Sequence, residues 1–531
     1  MTSWLKNAIF YQIYPISFFD SNGDGMGDIQ GIIQKVDYLK ELGVDAVWLN
    51  PIYKSPFKDG GYDISDYYTI DKRFGRMSDL EDLIKVFKKN NIKIVLDVVF
   101  GHTSNKHNWF KRCAQVKRNP YSDYYIWSDS NFDEYDGKLI KGLYYRDGGY
   151  LMNYYASQPA LNFGFNSPDK DASWQMHYTD ERLKPLREEL LNILRFYLDK
   201  GVDGFRFDMA GHMVKGCQWD SEDDEVMQGN IWFWNQVLGT LRKEYQERVY
   251  IAEWVYPINS VGKCGFDFDF LTHDTPSFNE LFRNEANTNL LRSLELGDNY
   301  FSENGKGSLK NFVEYAENLY SSLEGKGYFC TPSGSHDEIR ISQGKSLDLL
   351  KVVFAFLLTY KNIAFIYYGD EIGIKHNFSV SKDGGSVRTG ARTPMQWTSG
   401  PHCGFTTKRT PYLPTDQDIA LTVETQEKDE KSLLNTVKKL IKLRKKYACL
   451  YTDAEQKFLE TEYPAVYERT DGKQTIRVYI NPSNQVLSRN IEYNYEVLLA
   501  QNTEFDQDKI ILKEQSFVIA LLNVTVTRNN L

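Results

Sequence analysis

Four acids stand where a chain of alternating apolar and helical runs would expose them. Asp97 lies in VLDVVFGH, Asp208 ends GFRFDMA, Glu253 ends YIAEW, and Asp337 follows a histidine in GSHDEIR. Taken singly, each reads as well as a helix N-cap or a solvated loop acid. Together they read differently. Arg206 lies two residues before Asp208, and His102 and His336 neighbour Asp97 and Asp337. Several carboxylates at one mouth, with a guanidinium and two imidazoles, form an electrostatic cluster. Burial and neighbouring charge would shift its pKa values, which is the groundwork of acid–base chemistry.

The acids need elements to carry them. Eight apolar runs read as strands, at 8–18, 44–52, 92–100, 202–210, 248–255, 264–270, 327–337 and 362–371. Between them fall helical patterns, such as Ile29, Ile32, Ile33, Val36, Leu39 and Leu42, stopped by Gly43. Strands apolar on both faces and alternating with helices predict a parallel sheet covered by helices. Eight such units predict an α/β chain of the (β/α)8, or TIM, barrel type, in which reactive residues gather at the C-terminal ends of strands. The barrel is expected from 1–102 and 176–454. Residues 103–175, rich in Tyr, Asp, Asn and Gly, read as an irregular insertion after strand three. A hairpin turning at Asp471-Gly472 opens a C-terminal antiparallel part, 455–531, expected to be a β-sandwich.

Composition narrows the classes. The 531 residues carry a net charge of −9, and no run of Lys and Arg is interleaved with aromatics, so neither a nucleic acid nor an anionic membrane is an expected partner. The most apolar stretch, 352–368, is broken by Lys361 and Asn362 and reads as a helix followed by a strand. The N-terminus lacks the features of a secretory signal. Six scattered cysteines without a CxxC pair suit reduced, buried thiols. A cytoplasmic protein, monomeric or weakly oligomeric, is expected. Aromatics at 15 % suit stacking on sugar rings, though a large core accounts for much of that number.

DVVFGH (97–102), GFRFD (204–208), AE (252–253) and HD (336–337) occur in the order and spacing of the α-amylase superfamily of glycoside hydrolases, which the chain resembles over nearly its whole length. The resemblance implies that Asp208 is the nucleophile, Glu253 the general acid/base, and Asp337 the carboxylate that holds sugar hydroxyls. Acetal cleavage needs one carboxyl protonated near neutrality and one ionised, and Arg206 would help keep Asp208 ionised. The resemblance implies hydroxyl contacts from His102 and His336, while Asp97 would brace Arg206.

KDGGYDISDY (58–67) and GARTPMQW (390–397) are similar to the oligo-1,6-glucosidase, maltase and trehalose synthase branch. There, acids and arginines matching Asp59 and Arg392 bridge over the nonreducing end of the substrate, and a tyrosine matching Tyr62 stacks on the same ring. QPALNF (158–163) matches a third motif with Ala160 in place of its acid, and Phe163 is expected as a second apolar wall. DSNGDGMGD (20–28) sets oxygen donors at Asp20, Asn22, Asp24 and Asp28, with the Met26 carbonyl between, as calcium loops do. A structural Ca2+ is the expected cofactor, with a metal-free Gly/Asp turn as the plain alternative. Ser335, where the family usually has Asn, and Met209 after the nucleophile depart from the pattern. The expected activity is a retaining exo-acting α-glucosidase acting on short oligosaccharides. The alternatives are a transglucosylase or isomerase of the trehalose or sucrose type, and an endo-acting amylase.

Overall fold

Apolar runs too short for helices, and buried on both faces, become the staves of a cylinder. The computed structural model describes residues 2–216, 224–272, 280–282, 298–323, 325–491, 494–506 and 509–522. Eight parallel strands fall where the apolar runs predict them: β1 (Ile9–Ile13), β2 (Ala46–Leu49), β3 (Lys93–Val98), β4 (Gly204–Phe207), β5 (Val249–Ala252), β6 (Phe268–Phe270), β7 (Tyr328–Cys330) and β8 (Ala364–Tyr367). They lie side by side in sequence order, with β8 returning beside β1. The Ile363 N–H donates to the Phe329 carbonyl and the Ser333 N–H to the Phe365 carbonyl, both at 3.1 Å, and these bonds close β7 onto β8. The chain is therefore a TIM barrel.

Helices coat the cylinder by their apolar stripes. Met77–Lys89 buries Leu80, Leu83, Ile84 and Phe87 and ends in Lys88 and Lys89, which suit the negative end of a helix. The stretch expected as one helix up to Gly43 is two, Ile29–Gln34 and Val36–Leu42. The break falls at Lys35, whose ammonium lies over the rings of Phe19 (4.1 Å) and Trp397 (4.3 Å).

After β3 the chain leaves the barrel. Residues 103–175 hold the helix Asn108–Cys113, a hairpin of Leu139–Lys141 with Gly149–Leu151, and a small core that includes Ile126, Tyr135, Leu151 and Trp174, joined by Phe165. At the other end, β9 (Glu455–Glu460), β10 (Ala465–Thr470), β11 (Thr475–Asn481), β12 (Leu487–Asn490), β13 (Tyr495–Asp506) and β14 (Lys509–Leu522) form one hydrogen-bonded antiparallel sheet. β14 joins the two halves of this part: Ile510 and Leu512 from its first stretch share a buried core with Val466, Tyr479, Val518 and Ala520. The strand is long enough to pair with β11 along one half and β12 along the other, with β13 on its far edge.

Two buried arginines, Arg469 from the sheet and Arg444 from the helix Leu433–Lys446 that precedes it, finish one of the barrel's helices. The helix Leu347–Thr359 ends with carbonyls that no intrahelical N–H can reach. Arg444 donates to the Leu358 carbonyl (3.0 Å) and Arg469 to the Thr359 carbonyl (2.5 Å). Both guanidiniums are fully buried. The cysteines at 113, 264, 330, 403 and 449 are free and buried, while Cys217 lies outside the described residues. Among the described residues no helix is long and apolar enough to cross a membrane.

Candidate active site

Strand register brings the acids together. Asp97 on β3 is the direct register partner of Arg206 on β4. Asp208 is the first residue past β4, its N–H held by the Val98 carbonyl (2.9 Å), and Glu253 is the first past β5, held by the Phe207 carbonyl (3.1 Å). Arg206, fully buried, donates from Nη1 to Asp97 Oδ1 and to Asp208 Oδ1, both at 2.8 Å, and its Nη2 pairs with Glu253 Oε1. The second Glu253 oxygen accepts the Met209 N–H at 2.9 Å. Met209 takes a left-handed backbone (φ +45°), unusual for a non-glycine residue and common beside functional side chains.

Asp337 enters from the loop after β7. Its Oδ1 accepts from Arg388 (2.9 Å) and Arg392 (2.8 Å), and its Oδ2 lies 3.0 Å from His336 Nε2. The Gln12 amide donates to His336 Nδ1 (2.9 Å), which leaves the proton on Nε2, facing Asp337.

Burial and charge divide these carboxyls. Burial pushes Asp208 up to about 7, against the pull of Arg206 and with the help of Asp97. Asp97 rises to about 6 for the same first reason. Burial raises Glu253 as well, opposed by Arg206 and aided by the charge on Asp208. Burial would also raise Asp337, yet His336, Arg388 and Arg392 together hold it well below the usual carboxylate range. The site thus keeps one acid firmly ionised beside three whose protons burial holds more tightly than usual, the division that paired-carboxyl catalysis uses.

These groups border a pocket of about 470 Å3 whose wall includes Asp59, Tyr62, His102, Tyr154, Asp208, Met209, Glu253, Trp254, Asp337, Arg388 and Arg392. That volume lies within the range of roughly 300–1,000 Å3 typical of ligand sites. A hollow of similar size (about 490 Å3) between Tyr68 and Trp109 has Asp66 as its single carboxylate and cannot support two-carboxyl chemistry.

Of the residues expected to touch substrate, Asp59, Tyr62, His102 and Arg392 reach this pocket. Arg206 and His336 lie beneath it. Phe163 does not wall it: the ring is buried against Phe233 at 4.7 Å, drawn into the core by its apolar neighbours. Tyr62 stacks on His336 (5.1 Å, 4°) and donates to Asp97 at 2.7 Å. Both nitrogens of His102 are engaged, Nδ1 accepting from Asn153 (2.8 Å) and Nε2 donating to the Tyr62 carbonyl (3.1 Å), so a sugar hydroxyl must share or displace the second bond. Burial lowers this imidazole to about 4, which keeps it neutral.

The expected bridge from Asp59 to Arg392 is made differently. Asp59 Oδ1 lies 3.7 Å from Arg388, and its Oδ2 accepts from Gln158 (2.7 Å), while Arg392 turns to Asp337 and the His336 carbonyl. Arg388 was missed in the sequence. Its one signal was position: it precedes Arg392 by four residues within the tight helical segment Ser386–Arg392, so both can face one site. Tyr154 and Trp254 gave no motif of their own.

The loop 20–28 was expected to bind calcium. Its carboxylates are turned to the chain: Asp20 accepts the N–H groups of Asn22, Gly23 and Gly25 and the Thr406 hydroxyl. Asp28 accepts from Ser21 and Asn22 and caps the next helix through the Gly31 N–H. The Asn22 and Asp24 side chains accept the N–H groups of Asp24 and Met26, and the Lys408 ammonium sits on the Asp24 carbonyl at 2.5 Å. Among the described residues no three Asp, Glu, His or Cys side chains gather as a metal-holding group. With these bonds in place the loop is held closed by its own backbone N–H groups, Thr406 and Lys408.

Comparison with known proteins agrees with the geometry. Residues 12–453 match the alpha-amylase catalytic domain model. The chain is 31 % identical to an oligo-1,6-glucosidase of Parageobacillus thermoglucosidasius, with 95 % of each chain covered. It is 30 % identical to maltase A2 of Drosophila melanogaster over 96 % of this chain and 93 % of the relative. Among solved structures, an isomaltulose synthase mutant from Erwinia rhapontici NX5 in complex with sucrose superposes with a TM-score of 0.81 at 26 % identity, covering 98 % of this chain and 99 % of that one. With the fold, the strand-end acids and the sequence in agreement, the chain belongs to the alpha-amylase family of glycoside hydrolases.

Proposed function

We propose that the protein is a retaining, exo-acting α-glucosidase that removes terminal glucose from short α-glucosides. The observation that carries this reading is the pocket in which Asp208, Glu253 and Asp337 meet, with Asp59, Arg388 and Arg392 on its wall. Two carboxyls gripped by one guanidinium stand close together, in keeping with the retaining spacing of about 5–5.5 Å rather than the wider inverting one. Asp208 attacks the anomeric carbon while Glu253 gives its proton to the departing oxygen, so the glycosidic bond breaks as the glycosyl–Asp208 bond forms. Glu253, now ionised, takes a proton from water as that water releases glucose and restores Asp208. Asp337, held ionised by its arginines, accepts hydrogen bonds from the ring hydroxyls and stabilises the positive charge that develops on the ring.

A panel of maltose, isomaltose, sucrose and a long maltooligosaccharide, with products identified by chromatography, tests the reading. Glucose is expected from each substrate cleaved, together with fructose from sucrose and a chain shortened by one unit from the maltooligosaccharide; a spread of internally cut oligomers from the long substrate would contradict it. Asp208→Asn should lower kcat by roughly 10⁴-fold or more while leaving the thermal midpoint and circular dichroism unchanged. One observation favours a second outcome in the same panel: the solved structures of high similarity include sucrose-rearranging enzymes. A rearranged disaccharide from sucrose would assign the chain to that class, because the same glycosyl-enzyme is resolved there by a sugar hydroxyl instead of water.

A further inference from the structure

Glu253 has to exchange a proton twice in each turnover without changing place, and its side-chain bonds to Arg206 and Met209 change in strength as it does so. The backbone that carries it is held from elsewhere. On one side of the 253–254 peptide, the Glu253 carbonyl accepts the Ala210 N–H at 2.9 Å. On the other side stands Asp269, a fully buried carboxylate at the centre of β6.

Asp269 Oδ1 accepts the N–H groups of Trp254 (3.0 Å) and Val255 (3.2 Å), and its Oδ2 accepts the N–H of Tyr256 (3.1 Å) and the hydroxyl of Ser260 (2.6 Å). Three successive amides immediately after Glu253 therefore converge on one carboxylate. The turn that lets them converge puts Val255 at φ +63°, a left-handed conformation that a β-branched residue adopts only when its surroundings impose it. Trp254 is fixed by the same turn. Its indole lies where a side chain on Gly211 would have to be, 2.4 Å from the position of a Cβ, and it forms part of the pocket wall.

We propose that Asp269 is a positioning residue for the acid/base. It folds the 254–256 backbone into a strained turn that aims the Glu253 carboxyl at the leaving-group oxygen and sets Trp254 beside it. The proposal rests on Glu253 being the acid/base. A carboxylate is required because both oxygens accept; an asparagine would turn an N–H donor toward the Ser260 hydroxyl and the Tyr256 N–H, and the turn would relax.

The test compares two substrates that need the acid to different degrees. Maltose has a poor leaving group and depends on a well-aimed proton, whereas 2,4-dinitrophenyl α-glucoside departs almost without one. Asp269→Asn should lower kcat/KM on maltose about 100-fold and on the aryl glucoside less than about fivefold. Adding Val255→Gly, which takes φ +63° without strain, should return part of the maltose rate. Equal losses on the two substrates, or no loss on either, would overturn the proposal. Glu253→Gln serves as the reference: it should show the same split more strongly, and its absence there would remove the acid/base reading and the proposal with it. If Asp269→Asn does not fold, Ser260→Ala, which removes one of the bonds, decides the matter. A loss of about three- to tenfold confined to maltose supports the proposal, and no split overturns it.

Discussion

A single guanidinium answers to three carboxylates in this site, and its charge is spread thin. Asp208 must be ionised to attack, yet burial holds it near 7, so activity should rise as pH climbs through that region. The charge on Asp97 is one of the influences that raise Asp208. Asp97→Asn should therefore move the acid limb of the kcat/KM profile to lower pH, with a plateau lowered about tenfold because Arg206 loses an anchor. A pH–rate profile checks it, and an unmoved limb would detach Asp97 from the nucleophile. Arg388 acts at the opposite wall. Arg388→Ala removes a charge-assisted bond to Asp337 and the neighbour of Asp59, a loss of about 1.5–3 kcal/mol, or roughly 10- to 150-fold in kcat/KM on maltose. On a longer maltooligosaccharide the same variant should begin to release products larger than glucose, since the wall that closes the nonreducing end is thinned, and chromatography of the products checks it. The acids were legible in the sequence because Asp97 lies in an apolar strand, Asp208 and Glu253 directly follow one, and Asp337 stands in the stretch after another. Nothing in the pattern said which of two arginines, four residues apart, would face Asp59, since that depends on how a seven-residue segment coils.

Elements buried on both faces were the easiest to read. The apolar runs that became β1 to β8 had no reasonable alternative, because a run such as IKIVLDVV offers no polar side to water. Where an element makes its choice through long-range contacts, the sequence was silent. The ammonium of Lys35, where the helix breaks, sits over the rings of Phe19 and Trp397, and the pairing of the C-terminal strands turns on how far β14 extends. The loop 20–28 is the instructive case. Alternating oxygens at 20, 22, 24 and 28 suggested a calcium clamp, but the same alternation lets each side chain accept an N–H two or three residues on, and the loop closes on itself. Dialysis against EDTA should accordingly leave the thermal midpoint within about 1 °C and the activity unchanged. A larger fall, reversed by added calcium, would restore the clamp.

At the scale of the whole molecule, the insertion after β3 and the C-terminal sheet do different work. The insertion reaches over the mouth, where Tyr154 joins the pocket wall and Tyr155 donates to the Gly384 carbonyl at 2.9 Å. The sheet lies against the barrel's flank and holds none of the pocket residues. Its contribution runs through Arg469, from β10, which with Arg444 caps the helix that leads into β8. A ribosome must therefore have passed residue 469, nearly nine-tenths of the message, before the last stave has a properly finished helix to hang from. The strand that closes the cylinder thus emerges well before the arginine that finishes the helix behind it, and the tail of the chain completes that end last.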